Sequence, residues 1–209
     1  KISYSIMYFQ HNKVTITRRS YLYVYEYKKQ LLKNITKLLT DLDIKFVICY
    51  GNLIEYERKK PIYRDDDLDI IFNVDDILKW SKFCENNDRE LIKYNLKFDK
   101  RFKNIKKQKF NGIQCQLINF KNTKQIKTYN MDIHCDLVAN IVKSSFWPNL
   151  NINFDAVREI TFYNTKTYAP STIDTNNILI NQYGENYLIP DTPNPFAKKI
   201  KKNLNKNEI

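Results

Sequence analysis

The sequence has only two histidines, His11 and His134, and four widely spaced cysteines, Cys49, Cys84, Cys115 and Cys135, none of them in a C-x-x-C pair. Structural zinc sites need clustered Cys and His, and small secreted scaffolds need a disulfide framework, so neither is expected. No apolar run approaches the roughly 20 residues of a membrane span, and a soluble chain without a transmembrane segment is expected. No internal repeat is visible. Residue 1 is Lys, which suggests a trimmed chain. The compartment is therefore left open, with a lean toward the cytoplasm.

What is present is a folded composition. At 209 residues with 43% hydrophobic and 14% aromatic side chains, the chain can bury a sizeable core, whereas disordered chains are poor in aromatics. One domain is expected over residues 1–191, with 1–19 as an N-terminal hairpin or extension and 192–209 as a basic, mobile tail. Lys+Arg 35 against Asp+Glu 23 leaves a net charge of +12, which suits an anionic partner. The chain is also crowded with Asn, Ile and Tyr, which like Lys are read from AT-rich codons, so the charge permits such a partner without demanding one.

Hydrophobic spacing predicts the elements. Leu31, Ile35, Leu38, Leu39 and Leu42 recur at helical steps within a helix from Ser20 to about Leu42, with lysines on its outer face. KFVICYG reads as a short strand stopped by Gly51, followed by a helical turn that Pro61 ends and a strand over Leu68–Phe72. Helical spacing resumes from Asp75 to about Asn86 through Ile77, Trp80, Phe83 and Cys84. A basic stretch from Lys93 to Lys109 precedes two strands, GIQCQLINF and KTYNMDIHCDLV, with KNTKQ as the turn between them. Ser171 to Asp174 has capping-box spacing, and Gly184 sits where that last helix should end.

The chemistry concentrates in YRDDDLDIIF, where Asp65, Asp66, Asp67 and Asp69 fall directly before an apolar run. Alternate strand residues share a face, so Asp67 and Asp69 point together. Paired carboxylates repel unless a cation lies between them, and a hard divalent ion such as Mg²⁺ prefers oxygen ligands of this kind. Asp132 offers a third carboxylate on a neighbouring strand, and Asp136 shares its face as the alternative. Gly51 at the strand-to-helix junction lets a phosphate approach backbone N–H groups, with Arg58 and Lys60 as side-chain clamps. Against this, an Asp run beside lysines is most often a solvated turn, and His134 reads as a satisfied, partly buried histidine ahead of a ligand.

These residues resemble a known family. YGNLIEYERKKPIYRDDDLDI is similar to the hallmark of LicD/fukutin-type proteins, Y-G-T-L-L-G-x-x-R-x-K-G, an aromatic and apolar link, then W-D-D-D-I-D. Tyr50, Gly51, Leu53, Arg58, Lys60 and the Asp65–Asp69 cluster carry the match. Downstream, APSTIDTNNILINQYGENYLIPD resembles the family's closing segment through Tyr183, Gly184, Glu185 and Pro190. The resemblance spans roughly residues 30–191. It implies an α+β, nucleotidyltransferase-like (polymerase-β-type) fold, a mixed sheet flanked by helices. It also implies transfer of a phospho-alcohol, phosphocholine- or ribitol-phosphate-like, from a CDP-linked donor to a carbohydrate acceptor, releasing CMP with Mg²⁺ or Mn²⁺. On that resemblance Asp67, Asp69 and Asp132 are catalytic and hold the metal, while Gly51, Asn52, Arg58 and Lys60 contact phosphate or substrate. Asn52 stands where the family has Thr, Glu55 where it has a second Gly, and Tyr63-Arg64 where it has Pro-Trp.

Two other functions stay open at this point. The first is a nucleotidyltransferase moving NMP from an NTP onto a small molecule, protein or RNA, distinguished by release of pyrophosphate. The second is a catalytically inactive basic binding module. There the basic stretch and the tail would meet nucleic acid, and Tyr94, Phe98, Phe102 and Phe110 would stack on bases. Nucleic acid ranks behind the CDP-linked donor as a partner because the D-x-D is intact.

Overall fold

The computed structural model describes residues 18–60, 62, 67–86, 88–98, 114–119, 134–140 and 150–189. The expected N-terminal hairpin, the turn at KNTKQ, the basic tail, and Asp65, Asp66 and Asp132 lie outside the described residues.

The first helix, α1 (Arg18–Asp41), follows the predicted spacing. Leu31, Leu32, Ile35, Leu38 and Leu39 are fully buried, while Lys33 and Lys37 face solvent. Lys28 breaks the expected lysine face. It is buried, with its Nζ 3.9 Å from Glu55 Oε2 and 5.8 Å from the centre of the Tyr163 ring.

The strands β1 (Phe46–Ile48), β2 (Asp67–Phe72), β3 (Leu96–Phe98), β4 (Gln114–Asn119) and β5 (His134–Ala139) form one sheet in the order β1-β2-β5-β4-β3. The β2–β5 pair is parallel and the other three pairs are antiparallel. The chain is thus α+β with a mixed sheet and flanking helices. Helix α1 lies across β2, β3, β4 and β5. The central strands bury nearly every residue, as expected where both faces of a sheet are covered.

Between the strands come α2 (Tyr50–Arg58), a 3-10 turn at Val74–Asp76, α3 (Ile77–Asn86) and α4 (Asp88–Lys93). As predicted, α3 buries Trp80 and Cys84. The basic stretch differs from expectation. Its first residue, Lys93, closes α4, and Leu96 and Phe98 enter the core as β3, a strand too short to show a period of its own.

A second sheet, β6 (Arg158–Phe162) with β7 (Thr165–Ala169), is a hairpin unmarked by the usual turn residues. Its two turn residues, Tyr163 and Asn164, both take positive φ, 48° and 54°, the geometry that normally selects Asn-Gly. Tyr163 is held there by its side chain. The ring stacks on Phe162 at 4.1 Å, meets the edge of Tyr25 at 5.0 Å, and its hydroxyl donates to Glu55 Oε1 at 2.8 Å.

The last helix, α5 (Thr172–Tyr183), begins as predicted, with Ser171 Oγ accepting the Asp174 N–H at 3.1 Å. It ends at Gly184, whose φ of 86° lies in the left-handed region that glycine enters at least cost.

The Lys28–Glu55–Tyr163 group joins α1, α2 and the hairpin through buried charge. Removing one partner of a buried pair typically costs about 3–5 kcal/mol because the other is left uncompensated. Glu55→Leu alone is therefore expected to lower the urea midpoint sharply, and the double variant Lys28→Met/Glu55→Leu to recover much of the loss. Strictly additive losses in that cycle would show that the pair is not coupled.

Candidate metal centre

The centre starts where β1 hands over to α2. The Cys49 N–H donates to the Asp69 carbonyl at 2.9 Å, extending the β1–β2 pairing by one residue. The chain then turns into the helix at Tyr50, which takes φ 47°. The bend expected of Gly51 is thus made by Tyr50, and Gly51 sits half-buried in the first turn of α2. The Asn52 and Leu53 N–H groups donate back to the Cys49 carbonyl at 3.1 and 3.2 Å, closing the first turn of the helix.

Asn52 is fully buried and crosses to the acidic strand. Its Oδ1 accepts the Asp69 N–H at 2.5 Å and its Nδ2 donates to the Asp67 carbonyl at 3.4 Å. The residue expected to contact substrate instead fixes the backbone that carries the carboxylates.

Parallel pairing sets Asp67 opposite His134 and Asp69 opposite Asp136. Residues paired in parallel register share a face, so these four side chains form one polar patch at the start of both strands. Farther along that face come Ile71 and Val138, both buried. The charge is confined to the end beside the start of α2.

Within this patch Asp67, His134 and Asp136 each offer one ligand atom, and the three atoms lie within 4.8 Å of one another. His134 Nε2 stands 3.8 Å from Asp136 Oδ2. Two ligands each about 2.1 Å from an ion are separated by roughly 3–4 Å, so a small closing movement suffices for the set to hold a metal ion. The chemistry of the donors also fits. Asp136 is only 8% exposed, and its Oδ1 is buried with no hydrogen-bond partner, a costly state for a carboxylate oxygen that a cation would relieve.

Asp69 is likewise buried, on the side of Cys49 and Tyr50. Burial pushes the Cys49 thiol well above its usual range, and the Asp69 carboxylate adds to the effect. The Tyr50 hydroxyl is raised in the same way, first by burial and then by Cys49, Asp69 and Tyr183. Both shifts favour the protonated forms, as is usual of buried, inert cysteines.

The remaining predicted contacts fall elsewhere. Arg58 does not reach toward a phosphate site: its Nε donates to the Tyr187 carbonyl at 2.6 Å and its Nη2 to the Ile189 carbonyl at 3.2 Å. Lys60 lies beyond the C-terminal end of α2, lining a cleft of about 420 Å³ with Lys59, Arg158 and Tyr163. At about 1.5 Å of rise per residue, the helix separates Gly51 from Arg58 by roughly 10 Å. Gly51 and Asn52 therefore adjoin the acidic patch, and Arg58 and Lys60 do not.

Among the described residues, Asp136 takes the place expected of the third carboxylate. His134, read from sequence as a satisfied histidine, joins the cluster. The signal that could have found it is the period of two in His134-Cys135-Asp136, which matches that of Asp67-Leu68-Asp69. No family model matches the chain, and neither does any curated protein sequence.

Asn52→Ala removes both ties to the β2 backbone without touching a ligand atom. Residues supporting a metal ligand usually contribute 10–100-fold in affinity. Mn²⁺ titrated into this variant is expected to bind at least about tenfold more weakly than to the unaltered chain. Unchanged affinity would mean that the strand holds its register without Asn52.

Proposed function

We propose that the chain is a metal-dependent transferase of the LicD type, moving a phospho-alcohol from a CDP-linked donor to a sugar hydroxyl and releasing CMP. The observation that carries this reading is that two segments distant in sequence pack along α2, whose first turn adjoins the acidic patch. Tyr50-Gly51-Asn52 adjoins Asp69, Tyr183 lies close enough to Tyr50 to raise its hydroxyl's pKa, and Arg58 grips the Tyr187 and Ile189 carbonyls. The two stretches that carry the family resemblance are thus packed along one another on α2.

Among the described residues three side chains could ligate an ion, one fewer than closes a structural zinc site. Asp67, His134 and Asp136 would hold the ion, which when bound supplies Lewis-acid polarisation of the donor diphosphate. Gly51, without a Cβ in the first turn of α2, admits a phosphate oxygen to the N–H groups there, where the helix dipole favours negative charge. Asn52 keeps Asp67 and Asp69 in place. The acceptor hydroxyl oxygen forms the new bond to the phosphorus nearer the alcohol, that phosphorus's bond to the CMP oxygen breaks, and the hydroxyl proton passes to a carboxylate of the patch, a role that Asp69 would take. CMP leaves with the electron pair, and no covalent enzyme intermediate is required.

The test is phosphorus NMR of the protein with Mn²⁺ or Mg²⁺, a panel of CDP-alcohols and simple sugars. Metal-dependent CMP release is expected, falling about a hundredfold or more in Asp67→Asn and Asp136→Asn. Pyrophosphate release from an NTP would instead indicate nucleotidyl transfer. If no donor turns over and metal leaves Tm unchanged, the reading is wrong.

A further inference from the structure

We propose that His134 ligates the ion through its imidazole nitrogen, so that the centre is a mixed nitrogen and oxygen site that accepts Mn²⁺ or another first-row transition ion ahead of Mg²⁺. The proposal rests on the metal-dependent reading above and specifies which ion that reading uses.

The strand pairing makes the case. Because β2 and β5 run parallel with Asp67 opposite His134, the imidazole occupies the same face and height as the first carboxylate of the D-x-D. His134 Nε2 stands 3.8 Å from Asp136 Oδ2, and a third ligand atom, from Asp67, lies within 4.8 Å of both. A small closing movement brings the three to the spacing of ligands around a common ion. His134 is also mostly enclosed, with its side chain 14% exposed, so water competes weakly for the ring.

Donor type then decides between ions. Mg²⁺ is hard, demands near-ideal octahedral oxygen coordination and dehydrates reluctantly. An imidazole donor suits the later first-row ions, and carboxylates remain acceptable to Mn²⁺. A set of two carboxylates and one imidazole loses part of its value to Mg²⁺ and little to Mn²⁺. An all-aspartate site, as expected from Asp67, Asp69 and Asp132, would not discriminate in this way.

The experiment is pulsed electron paramagnetic resonance of the full chain carrying one equivalent of Mn²⁺. A ¹⁴N coupling to the ion is expected, and it should change to a ¹⁵N coupling when the protein is made with ¹⁵N-histidine. His11→Gln, which removes the chain's only other histidine, should leave it intact. In His134→Asp, which restores an all-oxygen set, the coupling should vanish and the preference for Mn²⁺ over Mg²⁺ should fall about tenfold or more. The isotope result needs no variant, so it decides even if His134→Asp fails to fold. Bound Mn²⁺ without nitrogen coupling, a coupling that survives His134→Asp, or an unchanged preference would each overturn the proposal while leaving the transferase reading standing. Failure of Mn²⁺ to bind at all would remove both.

Discussion

The parallel register between β2 and β5 is the constraint on which the rest depends. It puts Asp67 beside His134 and Asp69 beside Asp136, collecting three carboxylates and an imidazole at the start of two buried strands. Concentrating negative charge there opposes folding, and the structure limits the cost in two ways. The charged positions stop after two registers, giving way to Ile71 and Val138, and the strand backbone beneath them is tied to Asn52. What is left is a buried Asp136 oxygen without a hydrogen-bond partner, an environment that would favour a cation. The cluster that could hold a metal ion is therefore a consequence of a pairing that the apolar positions enforce, since a one-residue slip would drive Leu68 and Ile70 to the polar face.

Helix α2 is the second organiser. Along its nine residues Asn52 fixes the acidic strand, Glu55 joins α1 and the hairpin, Glu57 pairs with Arg158 at the base of the hairpin, and Arg58 holds the segment after α5. Glu55 illustrates how a local departure is absorbed. Where the resembling family has glycine, this chain buries a carboxylate and answers it with Lys28 and the Tyr163 hydroxyl. The same tyrosine anchors a two-residue turn that no glycine supports. A single buried carboxylate, Glu55, thus connects the entry helix, the site helix and the hairpin through two contacts.

Local pattern was legible where an element is long and periodic. The burial of Leu31, Ile35, Leu38 and Leu39 follows from helical spacing, the start of α5 from the Ser171 cap, and the shared face of Asp67 and Asp69 from the period of a strand. The strand β3 and the hairpin β6–β7 were not legible. Three residues are too few to show a period, and Tyr163-Asn164 gives only a weak turn signal because the Tyr163 side chain is held by contacts distant in sequence.

The division for the site follows the same physics. By itself the sequence determined that acidic side chains would share one face of an apolar strand, because alternation is a property of the backbone alone. Only the tertiary structure decided which residues complete the set. His134 and Asp136 join Asp67 through strand register, Asn52 turns inward to hold the strand, and Arg58 and Lys60 fall at the far end of α2. Register and helix direction are set by the packing of the whole core, and no stretch of sequence carries that information locally.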